Sequence, residues 1–335
     1  MNPVDLAAML ELMAQALRSL PAGESQASPV EALPARGTLG EWLDVHERQL
    51  RDRNYKPQTI KNRTATIAHV RRLWGQRPVA SLKPHEVATA LKTFGPERSS
   101  TAVRVLAELR DAYAEAIANG WAETNPAAHL KPPKHKIKRA RLQWETWRSM
   151  RTLSQTSPQR WVESMLLLAL VTGQRRADLA KMRFDDVIDD HLQIEQQKQA
   201  GKGYGARVAV PLSLRLDAVD MTLGQVIEHC RQSAKPGPTL LRKAGGGEIE
   251  QSSLSARFHE HIVAVLGPNA HKLHEWPSLH ECRSLSARLY HAQGIDVQTL
   301  LGHKHAEMTE VYKDDRGLSA HVWKRVSIPN QQAMT

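Results

Sequence analysis

P-S-L-H-E-C-R-S-L-S-A-R-L-Y fills residues 277–290, and L-L-G-H-K-H-A-E-M-T-E-V-Y fills residues 300–312. His280 and Arg283 stand three apart at the head of a predicted helix, a spacing that places both side chains on one face. His303 follows a Leu-Gly turn, and Tyr312 comes nine residues later. Arginine offers a planar fork of donors to phosphate oxygens. Histidine donates or accepts a proton near neutral pH, and tyrosine can act as a covalent nucleophile. The set suits gripping a phosphate and attacking it, although each residue alone also fits an ordinary helix surface or an amphipathic rim.

The rest of the 335-residue chain narrows that choice. Its length predicts two or three domains with real cores, and 41% hydrophobic residues exclude wholesale disorder. A net charge of +11 favours a polyanionic partner, nucleic acid first and an anionic membrane surface second. Two cysteines, Cys230 and Cys282, build neither a disulfide framework nor a Cys-rich zinc site, which suits a reducing cytoplasm. Cys282, between His280 and Arg283, reads either as a nucleophile or as a small buried helix residue; Glu281 beside it disfavours a thiolate. Sixteen histidines occur without an H-E-x-x-H or paired C-x-x-C pattern, so no metal is expected.

Residues 2–20 predict a short amphipathic helix with Leu6, Met9, Leu10, Met13, Leu17 and Leu20 on one stripe. Asp5, Glu11 and Arg18 interrupt it, so it reads as a packing or oligomerisation helix rather than a signal peptide or membrane span. Residues up to 37 form a Pro/Gly/Ser-rich linker. A helical domain is expected over 38–130, with Thr38 capping its first helix, Pro57 opening a second that ends at Gly75, a third near Pro84, and a fourth from about Ser99 to Gly120. Between Glu47 and Arg72 eight Lys or Arg face two acids, either a solvated face or a phosphate-tracking surface. Then K-P-P-K-H-K-I-K-R-A-R, residues 131–141, supplies Lys131, Lys134, Lys136, Lys138, Arg139 and Arg141 with no acid: an extended tether able to lie along a DNA backbone.

Beyond the tether, 144–171 reads as helical, with W-V-E-S-M-L-L-L-A-L-V apolar enough for a core, and stops at Thr172-Gly173. Arg175 then opens a new helix with Asp178 three residues on; a helix N-terminus favours anions, though an exposed Arg–Asp pair is the plainer reading. Residues 191–212 read as a hairpin with Lys198 where the first strand meets its turn. The G-x-G-x-G in that turn precedes no helix and is no dinucleotide fingerprint, and no P-loop occurs, so neither cofactor nor ATP is expected.

With T-G-Q-R-R-A-D-L (172–179), E-Q-Q-K-Q (195–199), H-E-C-R-S-L-S-A-R-L-Y (280–290) and L-G-H-K-H-A-E-M-T-E-V-Y-K-D-D-R-G (301–317) in order, the chain resembles the tyrosine recombinases, lambda-type phage integrases above all. The similarity covers about residues 38–317. It implies a mainly α fold with a small β-hairpin or sheet: a helical core-binding domain (38–130), a basic linker (131–141) and a catalytic domain (142–317) forming a C-shaped clamp on double-stranded DNA. It also implies roles. Tyr312 would form a 3′-phosphotyrosyl bond and release a 5′-hydroxyl. Arg175 and Arg283 would clamp the non-bridging oxygens, and Lys198 would protonate the leaving oxygen. His280 would move a proton, His303 would hold a phosphate oxygen, and Asp178 would steady the first arginine. Four protomers would exchange strands through a Holliday junction, integrating and excising a phage or mobile element in a bacterial cytoplasm, with DNA-bending or directionality proteins as further partners. Two departures stand out. Lambda-type enzymes carry a basic β-rich N-terminal domain where this chain has its short helix and linker. The tail at 318–335, with apolar Val322, Trp323, Val326 and Ile328, would pack either on a neighbouring protomer or on its own domain. Rival readings are a recombinase with another task, such as dimer resolution or conjugative-element transposition, a type IB topoisomerase, and a non-catalytic DNA-binding regulator on the same fold.

Overall fold

The computed structural model describes residues 37–134, 139–197, 206–272 and 275–314. The expected N-terminal helix and linker, Lys136, Lys138, Lys198 and the C-terminal tail lie outside the described residues. The chain divides into two compact units, Met1–His135 and Lys136–Thr335.

In the first unit, α1 (Leu39–Asp52) begins at a capping box: Glu41 N donates to Thr38 Oγ1, and Thr38 N donates to the Glu41 carboxylate at 2.6 Å. Pro57 at the first turn of α2 (Pro57–Trp74) costs no hydrogen bond, because that N–H has no intrahelical partner anyway. Pro84 does the same for α3 (Pro84–Lys92), and α4 (Ser99–Ala118) is the long helix against which α1, α2 and α3 pack. The core holds Leu39, Trp42, Leu43, Ile67, Val70, Val105, Leu106 and Leu109. Trp42 Nε1 donates to Ala112 O and Tyr113 OH to Val79 O, so the large aromatics are buried without orphaned donors.

Polar groups share that interior. His46 is fully buried, with one ring nitrogen 3.1 Å from Glu108 and the other against Glu115. Arg63 reaches across from α2, donating to both Glu108 oxygens and to Asp111, and Arg53 pairs with Asp111 and Glu115. His46, Glu108 and Asp111 lie close enough to chelate an ion, but the two guanidiniums already occupy these carboxylates. Arg71 is held by Asp44. Three of the eight basic residues between Glu47 and Arg72 therefore meet protein carboxylates.

The second unit surrounds α6 (Trp161–Thr172), nearly every residue of which is buried. One helix over 144–171 was expected; there are two, α5 (Trp144–Gln155) and α6, because Pro158 has no N–H to continue a helix and biases the preceding residue towards extended backbone. Next comes the four-residue α7 (Arg176–Leu179). β1 (Val187–Ile188), β2 (His191–Glu195) and β3 (Arg207–Pro211) form an antiparallel sheet in that order, with Leu192 opposite Val210 and Ile194 opposite Val208 on the buried face. The hairpin thus has the alternation its sequence predicts. A two-stranded ribbon, β4 (Arg215–Leu216) with β5 (Met221–Thr222), leads into α8 (Leu223–Gln232) and α9 (Gln251–Leu266). The last helices are α10 (Glu281–Ala292), α11 (Val297–Leu301) and α12 (Ala306–Lys313). The architecture is mainly helical with small antiparallel sheets, as expected. No helix among the described residues is long and apolar enough to cross a membrane.

Because Arg63 neutralises the buried Glu108, Arg63→Met leaves that carboxylate with His46 alone. Chemical unfolding of the full chain should show the first unit destabilised by about 3 kcal/mol, the low end for breaking a buried ion pair. A shift indistinguishable from zero would mean that water, not Arg63, compensates Glu108.

Candidate active site

Helix α6 ends on Gly173, whose φ of +62° lies in the left-handed region that glycine tolerates. A Cβ there would stand 2.9 Å from both Leu301 Cδ2 and Ser286 Oγ. The reversal presents Gly173 O to Arg283 Nη1 at 2.8 Å. Arg283 lies in the first turn of α10 and is fully buried. Its Nη2 donates to Leu301 O (2.6 Å) and to His303 Nε2 (2.9 Å), and its Nε is buried with no partner at hydrogen-bond geometry. Burial, then the nearby Arg175, pull its pKa down to about 10.

His303 follows Gly302, a second left-handed glycine, at the end of α11. Its Nε2 accepts from Arg283, and its Nδ1 meets Thr309 Oγ1 at 2.9 Å, the pattern of a neutral imidazole carrying its proton on Nδ1. Burial first, then Arg283, Arg175 and His280, push its pKa down to about 4. His280 is the N-cap of α10 and exposed. Its Nε2 lies 3.0 Å from Tyr312 OH. The Tyr312 ring stands 5.1 Å from the His303 ring, and the Arg283 guanidinium carbon 5.3 Å from its centroid. Arg175 caps the short α7, and its Nη1 donates to Gln196 Oε1 at 2.5 Å. His280, Arg283, His303 and Tyr312 are therefore in mutual contact, with Arg175 within electrostatic reach.

Two expected placements differ, and one open reading is decided. Asp178 does not pair with Arg175 among the described residues; its Oδ1 accepts from the Gln197 amide at 2.8 Å, so it fastens the end of β2 one residue before Lys198. Arg141 does not face solvent. It is 5% exposed, and each of its three guanidinium nitrogens donates to Glu281, Ser284 or a backbone carbonyl. Lys131, Lys134 and Arg139 are exposed. Cys282 is buried, and burial raises its thiol well above the usual range, so it is a packing residue and no nucleophile.

Gln196 escaped the sequence reading. It is fully buried, bonds Arg175 through Oε1, and donates through Nε2 to Gln174 Oε1 and Leu301 O, both at 2.8 Å. A Cβ on Gly302 would stand 2.8 Å from that same Nε2. One amide thus ties the lysine hairpin, the first arginine and the turn before His303 together. Its signal was its place in E-Q-Q-K-Q, at an inward position as the strand alternation ends.

The chain matches the phage integrase family over residues 142–317 and the phage integrase central domain over residues 40–133. The first match alone spans more than half of the chain. The chain belongs to the phage integrase family. It is a tyrosine-type site-specific recombinase, 34% identical over 297 residues to the integrase of Escherichia phage HK022, covering 87% of this chain and 79% of that protein. It is 32% identical over 294 residues to the integrase of Escherichia phage lambda, again covering 87% and 79%. Among solved structures, a lambda integrase dimer bound to a COC′ core site matches with a TM-score of 0.78 at 32% identity, covering 87% of this chain and all of that one. A lambda integrase tetramer bound to a Holliday junction matches with a TM-score of 0.78 at 31% identity, covering 87% of this chain and 81% of that one.

Gln196→Leu keeps the bulk but removes the acceptor for Arg175. Single-turnover cleavage by this variant should be about 10²-fold slower, the cost of misplacing a reacting group by an ångström, with DNA affinity nearly unchanged. An unaltered rate would remove Gln196 from any positioning role. The second prediction concerns acid. The His303 pKa is lowered on folding, so between the ordinary value near 6.5 and about 4 the unfolded chain binds more protons than the folded one. Stability from this group is complete above pH 6.5 and is lost as the pH falls towards 4. Thermal unfolding from pH 7 to 4.5 should therefore show the wild type losing stability relative to His303→Asn. Parallel curves would mean that His303 does not titrate in this window.

Proposed function

We propose that this integrase cuts and rejoins duplex DNA at the core sites of a phage or similar mobile element, integrating and excising it. The observation that carries the reading is the Tyr312 hydroxyl, 3.0 Å from His280 Nε2 and ringed by Arg283 and His303. The Tyr312 oxygen attacks the scissile phosphorus while His280 takes up its proton. The P–O5′ bond breaks, Lys198 delivers a proton to the departing 5′-oxygen, and a 3′-phosphotyrosyl ester remains. Arg175, Arg283 and His303 bind the non-bridging oxygens, where charge develops in the pentavalent transition state.

The phosphodiester energy stays in the tyrosyl ester, so attack by a new 5′-hydroxyl is close to isoenergetic and needs no nucleotide triphosphate. Two cleavage steps by a tetramer through a Holliday junction complete the exchange, the assembly in which lambda integrase has been captured. Lys131, Lys134 and Arg139, with Lys136 and Lys138 of the same run, track the phosphate backbone in this reading. We place the reaction at the nucleoid in the bacterial cytoplasm, with DNA-bending or directionality proteins as partners. In this reading residues 1–37 join protomers or contact an accessory protein, and residues 318–335 pack on a neighbouring protomer.

Incubated in EDTA with supercoiled DNA carrying the regions that flank its own gene, or with a nicked half-site, the wild type should yield an SDS-resistant, protease-sensitive protein–DNA adduct. Tyr312→Phe should yield none while binding the same DNA as tightly. An adduct from both proteins would displace Tyr312 as nucleophile. Tight binding by both with no adduct on the nicked half-site, which traps cleavage without synapsis, would favour a regulator that only binds.

A further inference from the structure

Helix α12, which carries Tyr312, packs against α10 and α11 with Tyr312 partly buried against the core. It is eight residues long, too short to be stable alone, and Thr309 is its one buried residue; Met308 and Val311 are exposed. Polar straps supplement that packing. Thr309 meets His303, and the other strap is Arg141, the last basic residue of the 131–141 run.

Arg141 reaches α12 from outside the helix. Its Nε donates to Asp314 O at 2.9 Å, and its Nη2 donates to Val311 O. These carbonyls flank Tyr312 in sequence and belong to the helix end, where backbone acceptors lack intrahelical partners and a cation is favoured. The remaining nitrogen, Nη1, donates to Glu281 Oε2 at 3.1 Å and to Ser284 Oγ at 2.5 Å, both in the first turn of α10. The side chains of Arg141 and Glu281 are 2% and 3% exposed. Glu281 follows His280, whose ring meets the Tyr312 hydroxyl. One guanidinium therefore grips both elements that meet at the His280–Tyr312 contact. Its own backbone is pinned on either side: Ala140 N donates to Glu275 O, and Arg288 donates to Leu142 O, each at 2.8 Å.

We propose that Arg141 is a positioning residue for the nucleophile, a buried cap that sets the Tyr312 hydroxyl against His280 from the segment by which the chain enters the catalytic unit. The inference rests on Tyr312 being the nucleophile. Lysine cannot replace Arg141, since one ammonium cannot span Asp314 O, Val311 O, Glu281 and Ser284 with a planar fork.

The test uses full-length protein, a nicked half-site at saturating concentration, and single-turnover cleavage read as both a rate constant and an amplitude. Arg141→Lys, and the double variant Arg141→Met/Glu281→Met that leaves no uncompensated buried carboxylate, should each cleave at least about tenfold more slowly. The amplitude and the DNA affinity should be kept, and the double variant should melt near the wild type. A purely structural role would lower the amplitude, as molecules fail to fold, and leave the rate constant of the rest alone; that result overturns the proposal. So does a wild-type rate constant at saturation with only more DNA required, which would make Arg141 a phosphate contact. Tyr312→Phe in parallel separates the two ideas. An adduct from that variant defeats the nucleophile assignment itself, whereas adduct formation by the wild type alone, with Arg141→Lys equally fast, defeats only the cap.

Discussion

Burying one guanidinium sets the plan of the catalytic unit. Arg283 is out of water, and a buried charge persists only where its donors find acceptors. Gly173 O and Leu301 O come from the C-terminal ends of two different helices, and His303 adds a ring nitrogen. Each acceptor constrains a segment: α6 must stop at a left-handed glycine, α11 must end at Leu301, and the Gly302 turn must bring His303 back over α10. Tyr312 then lies over the same guanidinium. The apolar core around α6 supplies stability, but the register of these ends is set by satisfying Arg283.

The sequence made the reacting groups legible, because their residue types and their turns are local. Gly173 and Gly302 mark helix ends through their backbone freedom, and the His280-x-x-Arg283 spacing puts two side chains on one turn. The capping box at Thr38 and the alternation of 191–195 against 207–211 are local in the same way. Whether a basic side chain faces DNA or the interior is not local. Arg141 sits in a run that reads as solvent-exposed, and its partner Glu281 comes 140 residues later. Arg53 and Arg63 likewise find their carboxylates on α4, 45 to 62 residues downstream. Gln196 was silent for a related reason: an uncharged amide in a strand carries no chemical flag until its three neighbours are known. The break at Pro158 was readable in the sequence, since S-Q-T-S-P-Q-R at 154–160 is a polar run around a proline.

Four of the arginines that tie the fold together differ in their acceptors from the two proposed to face the reaction. Arg53, Arg63, Arg71 and Arg141 each end on at least one carboxylate, so their charge is cancelled where it stands. Arg175 and Arg283 end on neutral acceptors: the Gln196 amide oxygen, two peptide carbonyls and an imidazole nitrogen. Such dipoles fix direction without consuming charge. Arg110 and Arg242 use backbone carbonyl acceptors too, so neutral acceptors alone do not mark the site.

The turning of Asp178 fits the same logic. Paired to Arg175, its carboxylate would oppose the phosphate that the proposed reaction brings to the arginine; bonded to the Gln197 amide, it instead holds the strand end next to Lys198. Burial first, and then cationic neighbours, hold the pKa values of Arg283 and His303 down. A phosphorane with its extra negative charge relieves that repulsion more than the ground-state diester does. In the reaction proposed above, that repulsion is present before the phosphate binds and is relieved as charge develops, which is preorganisation in physical terms.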